Sequence, residues 1–191
     1  MTRRMAGAAL LLVPLLGCGA PWETVRSASG GFSVQMPKPE AWKEVEETPY
    51  GRAEFYGWRG SDSGTTLTAD WTFSLCNVAY ADLRVPDSAD PADVLSAMRD
   101  WLARGWPGKI LGEHPISLVH ARGTEYMIET SGQRGIIRVR LLLVGDRFFR
   151  LTIGQPRDGW QQRRLAKRFF DSFNLTSPAP TGGLRPTGAE R

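Results

Sequence analysis

Three arginines stand where charge could be put to use. Arg138 and Arg140 alternate with Val139 in the run Ile136-Ile137-Arg138-Val139-Arg140-Leu141-Leu142-Leu143-Val144, and Arg150 follows shortly after. Alternate residues of a strand share a face, so Arg138 and Arg140 lie together. Guanidinium groups recognise carboxylates and phosphates through paired N–H donors. An anion site built from Arg138, Arg140 and Arg150 is therefore one reading. A hairpin turned through Gly132-Gln133 offers another, because it sets Arg140 opposite Glu125 and Arg138 diagonal to Glu129. The acids that neutralise the arginines are then already in place. The pattern predicts a charge ladder on a half-exposed sheet face, each cross-strand pair contributing roughly 0.2–1 kcal/mol.

The other reactive residue types are sparse. His114 and His120 share one strand candidate without ligand-type spacing, so they predict no metal site. Cys76 closes the apolar-rich run Trp71-Thr72-Phe73-Ser74-Leu75-Cys76 and reads as a small buried hydrophobe. No cation or helix start near it would activate a thiolate. There is no G-x-S-x-G, no H-E-x-x-H, no phosphate-binding glycine loop and no paired cysteine motif. Neither catalytic residues nor a cofactor are expected.

Cys18 is a different case. Arg3 and Arg4 precede an apolar run from Ala6 to Leu16, then Leu15-Leu16-Gly17 leads into Cys18. Eleven apolar residues suit a signal-peptide core and fall short of the ~20 that span a bilayer. The spacing resembles a bacterial lipobox and predicts cleavage before Cys18, with lipid on its thiol. Plain export is the alternative. Residues 1–17 are then a lipoprotein signal, 18–29 a tether, 30–175 one domain and 176–191 a disordered Pro/Gly/Thr-rich tail. The expected place is the bacterial cell envelope, lipid-anchored, with the domain outside the cytoplasm.

Cleavage would leave 174 residues with 22 basic against 20 acidic, nearly neutral. The densest basic cluster, Arg163, Arg164, Lys167 and Arg168, reads as a solvated helix face. No alternation of aromatics with bases suggests nucleic acid. The chain carries seven tryptophans. Trp22 and Trp42 lie near the tether, and Trp58, Trp71, Trp106 and Trp160 could line a groove.

Strand signals dominate the domain. They fall at Phe32–Met36, Ala53–Trp58, Thr66–Leu83 (long, with a break or bulge near Cys76-Asn77), Lys109–Val119 and Gly123–Thr130. Gly135–Val144 and Arg147–Ile153 form a hairpin closed by Gly145-Asp146. One helix opens at Asp90-Pro91, with Val94, Met98, Trp101 and Gly105 on one stripe and Leu95 and Leu102 beside it. A second begins near Asp158, with Leu165, Phe169 and Phe173 at four-residue spacing. Trp101 and Phe169 are expected to be buried. The pattern is α+β, an antiparallel sheet with helices packed on it.

The order of these elements resembles a known family. It is carried by Gly31-Phe-Ser-Val-Gln-Met-Pro37, Asn77-Val-Ala-Tyr-Ala-Asp-Leu83, the Asp-Pro helix start, Lys109-Ile-Leu-Gly-Glu-His-Pro-Ile-Ser-Leu118, Val139-Arg-Leu-Leu-Leu-Val-Gly-Asp-Arg147 and Phe169-Phe-Asp-Ser-Phe-Asn-Leu175. Together they resemble the PsbP-like superfamily over residues 30–175. That resemblance implies an α/β/α sandwich around an antiparallel sheet and no shared catalytic set. Its members with known roles act as accessory or binding proteins.

The leading expectation is a membrane-tethered envelope lipoprotein acting as a non-enzymatic accessory or protein-binding module, held by lipid on Cys18 beside an envelope protein partner. A small-ligand carrier with a pocket between sheet and helix is the alternative. A hydrolase using scattered acids or His114 and His120 is a further one.

Overall fold

The computed structural model describes residues 21–61, 75–106, 108–118, 121–130, 135–156 and 160–176. The leader, Cys18, Trp71, His120, the Gly132-Gln133 turn and residues 177–191 lie outside these, as does the side chain of Trp160.

Local signals set the most sharply bounded elements. Helix α1 (Pro91–Gly105) starts where Asp90 Oδ1 accepts the N–H of Ala92 at 2.8 Å, with Pro91 in the first turn. That cap satisfies a backbone donor the helix leaves open, and proline at this position loses nothing. Val94, Leu95, Met98 and Leu102 are buried, while Gly105, expected on the same stripe, ends the helix exposed. The hairpin of β8 (Gly135–Val144) and β9 (Arg147–Pro156) closes as the sequence predicts. Val144 pairs with Arg147, and Gly145 adopts φ +58° at the first loop position, which glycine accepts without strain.

The remaining elements are β1 (Trp22–Ser27), β2 (Phe32–Pro37), β3 (Glu40–Thr48), β4 (Gly51–Ser61), β5 (Leu75–Asp82), β6 (Gly108–Leu118), β7 (Ala121–Thr130), α2 (Trp160–Asp171) and β10 (Asn174–Leu175). Seven strands form one antiparallel sheet in the order β3-β4-β5-β9-β8-β7-β6. Three more form a small sheet, β1-β2-β10.

Two cores lie on opposite faces of the large sheet. On one, Val94, Met98 and Leu102 of α1 cover Phe55, Ala79, Ala81, Tyr126, Val139, Leu141 and Phe148. On the other, α2 and the small sheet cover Val78, Leu142, Phe149, Leu151 and Ile153. Phe32 of β2 is the hub there, edge-on to Trp58, Tyr80 and Phe149 and stacked on Phe173 at 5.5 Å. The architecture is thus mostly antiparallel sheet with two helices, and on the second face the small sheet shares the cover with α2.

Several expectations change. Trp22–Ser27, expected within the tether of residues 18–29, is strand β1 and pairs with β2 from Trp22↔Pro37 to Ser27↔Phe32. Thr176, assigned to the tail, donates its N–H to the Gly31 carbonyl at 2.9 Å. Strand β3 had no counterpart in the sequence reading. Over its described length β5 pairs regularly through Cys76 and Asn77, and the bulge falls in β6 between Ile110 and Gly112. Helix α2 ends at Asp171, so Phe173 packs from beyond it. Trp101 is only half-buried, stacked on Phe55 at 6.0 Å, whereas Phe169 is fully buried.

The passage between sheets is tight. Lys38 adopts φ +38° between β2 and β3, a costly region for a residue with a Cβ. A Cβ on Gly60 would lie 1.9 Å from the Pro37 carbonyl oxygen, so β4 needs glycine there.

Candidate functional site

The same sheet carries two arginine–glutamate systems, one on each face, from β7 and β8 on one and from β3 and β9 on the other. On the α2 face the register sets Glu125 of β7 opposite Arg140 of β8, as the sequence predicts. Glu125 receives Arg140 Nη2 at 2.7 Å and Nε at 3.1 Å on one carboxylate oxygen, and Arg138 Nη2 at 2.7 Å on the other. Arg138 therefore reaches Glu125 in addition to lying diagonal to Glu129. The carboxylate is only 5% exposed, so this is a buried clamp and not the half-exposed ladder expected. Arg140 also donates Nη1 to the Phe170 carbonyl at 3.2 Å and lies 4.7 Å from the Phe170 ring centroid. Burial pushes the Glu125 carboxyl up, and the bonds from Arg140 and Arg138 outweigh it and hold the group below its ordinary range.

Arg150 does not join Arg138 and Arg140. It pairs with Leu141 and Ala79 in the sheet and so lies on the α1 face. The three-arginine anion site is excluded by strand parity. Arg150 is 9% exposed and gives Glu46 of β3 a single bond from Nη2 at 3.2 Å. Its guanidinium rests 5.1 Å from the Phe55 ring and 6.0 Å from that of Trp42. Its other N–H groups have no acceptor among the described residues.

The surroundings of Arg150 are unusually short of partners. Among the described residues, five buried side-chain polar atoms make no hydrogen bond: Trp42 Nε1, Asn77 Oδ1, Tyr126 OH, Thr152 Oγ1 and Arg138 Nε. The first four fall on the α1 face. Asn77, Thr152, Val139 and Tyr126 follow one another across the sheet in register, and Trp42 packs against the same core. Each such atom costs about 1–3 kcal/mol if left without a partner. Burial pushes the Tyr126 phenol well above its ordinary value of 10.0, against the lowering effect of Arg150 and Arg99, so it stays a neutral donor.

Where α1 ends, this face opens. A cleft of about 420 Å³ lies between the last turn of α1 and the strands, lined by Trp101, Leu102, Arg104 and Trp106 from the helix side and by Glu46 and Arg150 from the sheet. Trp58 packs on the opposite face beside Phe32, so the groove expected of Trp58 and Trp106 does not form. Trp42 belongs to β3 and the α1-face core. Cys76 is fully buried, and His114 is exposed in β6.

The two edges of the large sheet differ as well. Among the described residues, edge strand β3 carries Glu40, Glu44, Glu46 and Glu47, with a lone exposed Val45 between two of them. Edge strand β6 is exposed at every residue but Ile116, and shows Ile110, Leu111 and Leu118 to solvent. None of the described helices is long and apolar enough to cross a membrane.

This architecture defines a class. It is similar to the solution structure of cyanobacterial PsbP from Synechocystis sp. PCC 6803, with a TM-score of 0.52 at 10% identity over 90% of this chain and 98% of that one. A crystal structure of Mog1p, a Ran-binding protein of Saccharomyces cerevisiae, aligns with a TM-score of 0.43 at 14% identity over 83% of this chain and 97% of that one. No family model and no curated protein matches the chain. The fold is similar to that of cyanobacterial PsbP, as the sequence resemblance implies.

Proposed function

We propose that the protein is a membrane-tethered, non-enzymatic binding module of the bacterial envelope, anchored through lipid on Cys18 and presenting edge strand β6 to an extended segment of a partner protein. The observation that carries this reading is the contrast between the sheet edges. Unpaired edge N–H and C=O groups invite another strand, and proteins guard such edges with charge. The four glutamates of β3 are such a guard. Strand β6 runs eleven residues with two charges, Lys109 and Glu113, and exposes Ile110, Leu111 and Leu118, which strand addition uses. The bulge between Ile110 and Gly112, together with Pro115, restricts the register a partner strand can take. Two acyl chains on one cysteine would give the stable attachment that a single chain does not.

The test is site-specific photocrosslinking in intact envelopes. A photoreactive residue at Leu111 should give a discrete adduct, and one at Val45 of β3 should give none. Cys18→Ala should release the protein from the membrane fraction. Equal labelling from both edges would remove the docking reading, and full membrane retention of the Cys18 variant would remove the anchor.

A further inference from the structure

We infer that the cleft at the C-terminal end of α1 is a binding site for a small organic anion, a carboxylate carried on a flat apolar body. The inference stands apart from the tethering and docking reading, because it uses the face of the sheet and not its edge.

The cleft has the size of a small-molecule site, at about 420 Å³. Its walls divide the work. Trp101, Trp106 and Leu102 offer flat apolar surface, and Arg150 and Arg104 offer positive charge against the single carboxylate of Glu46. Arg150 is committed weakly. It makes one bond of 3.2 Å to Glu46, where the clamp on the other face uses paired bonds down to 2.7 Å. A guanidinium with N–H groups to spare, held in place by Phe55 and Trp42, is preorganised for an oxygen acceptor.

The polar atoms around it are open as well. Trp42 Nε1 is an unpartnered donor, Asn77 Oδ1 an unpartnered acceptor, and the Tyr126 and Thr152 hydroxyls can each donate or accept. Tyr126 is fully buried and Thr152 nearly so. Polar groups left open behind Arg150 can hold ordered water that bridges to a ligand in the cleft. Arg104 in the last turn offsets the negative end of the helix dipole, which would otherwise repel such a ligand.

The experiment is calorimetric titration of the protein with phenylacetate and with its uncharged amide, phenylacetamide, at constant ionic strength. Phenylacetate should bind at least about tenfold more tightly than the amide, the ratio expected for one charge-assisted contact. Arg150→Gln should abolish that preference, and Arg150→Lys should restore part of it. Trp106→Ala should weaken both probes alike. Equal affinity for acid and amide, no binding of phenylacetate, or a folded Arg150→Gln variant that keeps the preference would each overturn the assignment. If Arg150→Gln fails to fold, the acid-to-amide ratio in the unaltered protein and the effect of Arg104→Gln on it decide the matter.

Discussion

Glu125 and Glu46 lie on opposite faces of one sheet, each beside an arginine, and they are held in opposite ways. Glu125 sits between Arg138 and Arg140, with both oxygens bonded and Phe170 stacked over the pair. Glu46 meets Arg150 through one long contact at the mouth of a cleft, 21% exposed, with unsatisfied polar atoms nearby. Removing two charges from water is repaid only when geometry and supporting bonds are good. The α2 face meets that condition and the α1 face does not. A closed ion cluster holds a fold together, whereas an open one leaves capacity for something else.

The largest effect should come from breaking the closed cluster. Glu125→Ala leaves Arg138 and Arg140 facing each other without their acid, and should destabilise by about 3–5 kcal/mol in urea melts. A loss under about 1 kcal/mol would return the clamp to the status of a surface ladder. Next, the aromatic anchors of the two faces should separate. Phe169→Ala removes a fully buried ring and should cost about 3–5 kcal/mol, whereas Trp101→Ala removes one that borders the cleft and should cost about half that. Equal costs would mean the cleft is closed in solution.

Acid should reveal the same asymmetry more gently. The Glu125 carboxyl is held below its unfolded value of 4.5, so its contribution is complete above that value and is lost as pH falls through the folded one. Denaturant midpoints of the unaltered protein should drop on that acid limb, and Glu125→Gln should flatten it. An unchanged slope would deny the clamp its electrostatic role. The smallest effect is expected at the open cluster, where Arg150→Gln should cost about 1–2 kcal/mol, because Glu46 can turn to solvent and only the packing on Phe55 and Trp42 is lost.

The local signals were the legible ones. Asp90-Pro91 marked the start of α1 and Gly145-Asp146 marked the tightest turn, because cap and turn chemistry act within a few residues. The Glu125–Arg140 pairing was legible from hairpin arithmetic. The same arithmetic through Gly145-Asp146 places Arg150 opposite Leu141, and could have separated it from Arg138 and Arg140. Strands β1 and β3 left little trace. In β1 only Val25 and Ser27 are buried, and β3 is an acidic edge without a buried residue, so neither shows the apolar alternation that marks a strand. The cleft was beyond sequence reading because it joins residues of β3, α1 and β9 that only the topology brings together.

The small sheet also gives the domain a direction. The described chain enters through β1 and leaves through β10, and both strands flank β2 on the side covered by α2. Both ends of the described chain therefore lie on the face opposite the cleft. The cleft, with half-buried Trp101 and Trp106 on its wall, opens on the other side of the sheet, where the small sheet does not reach.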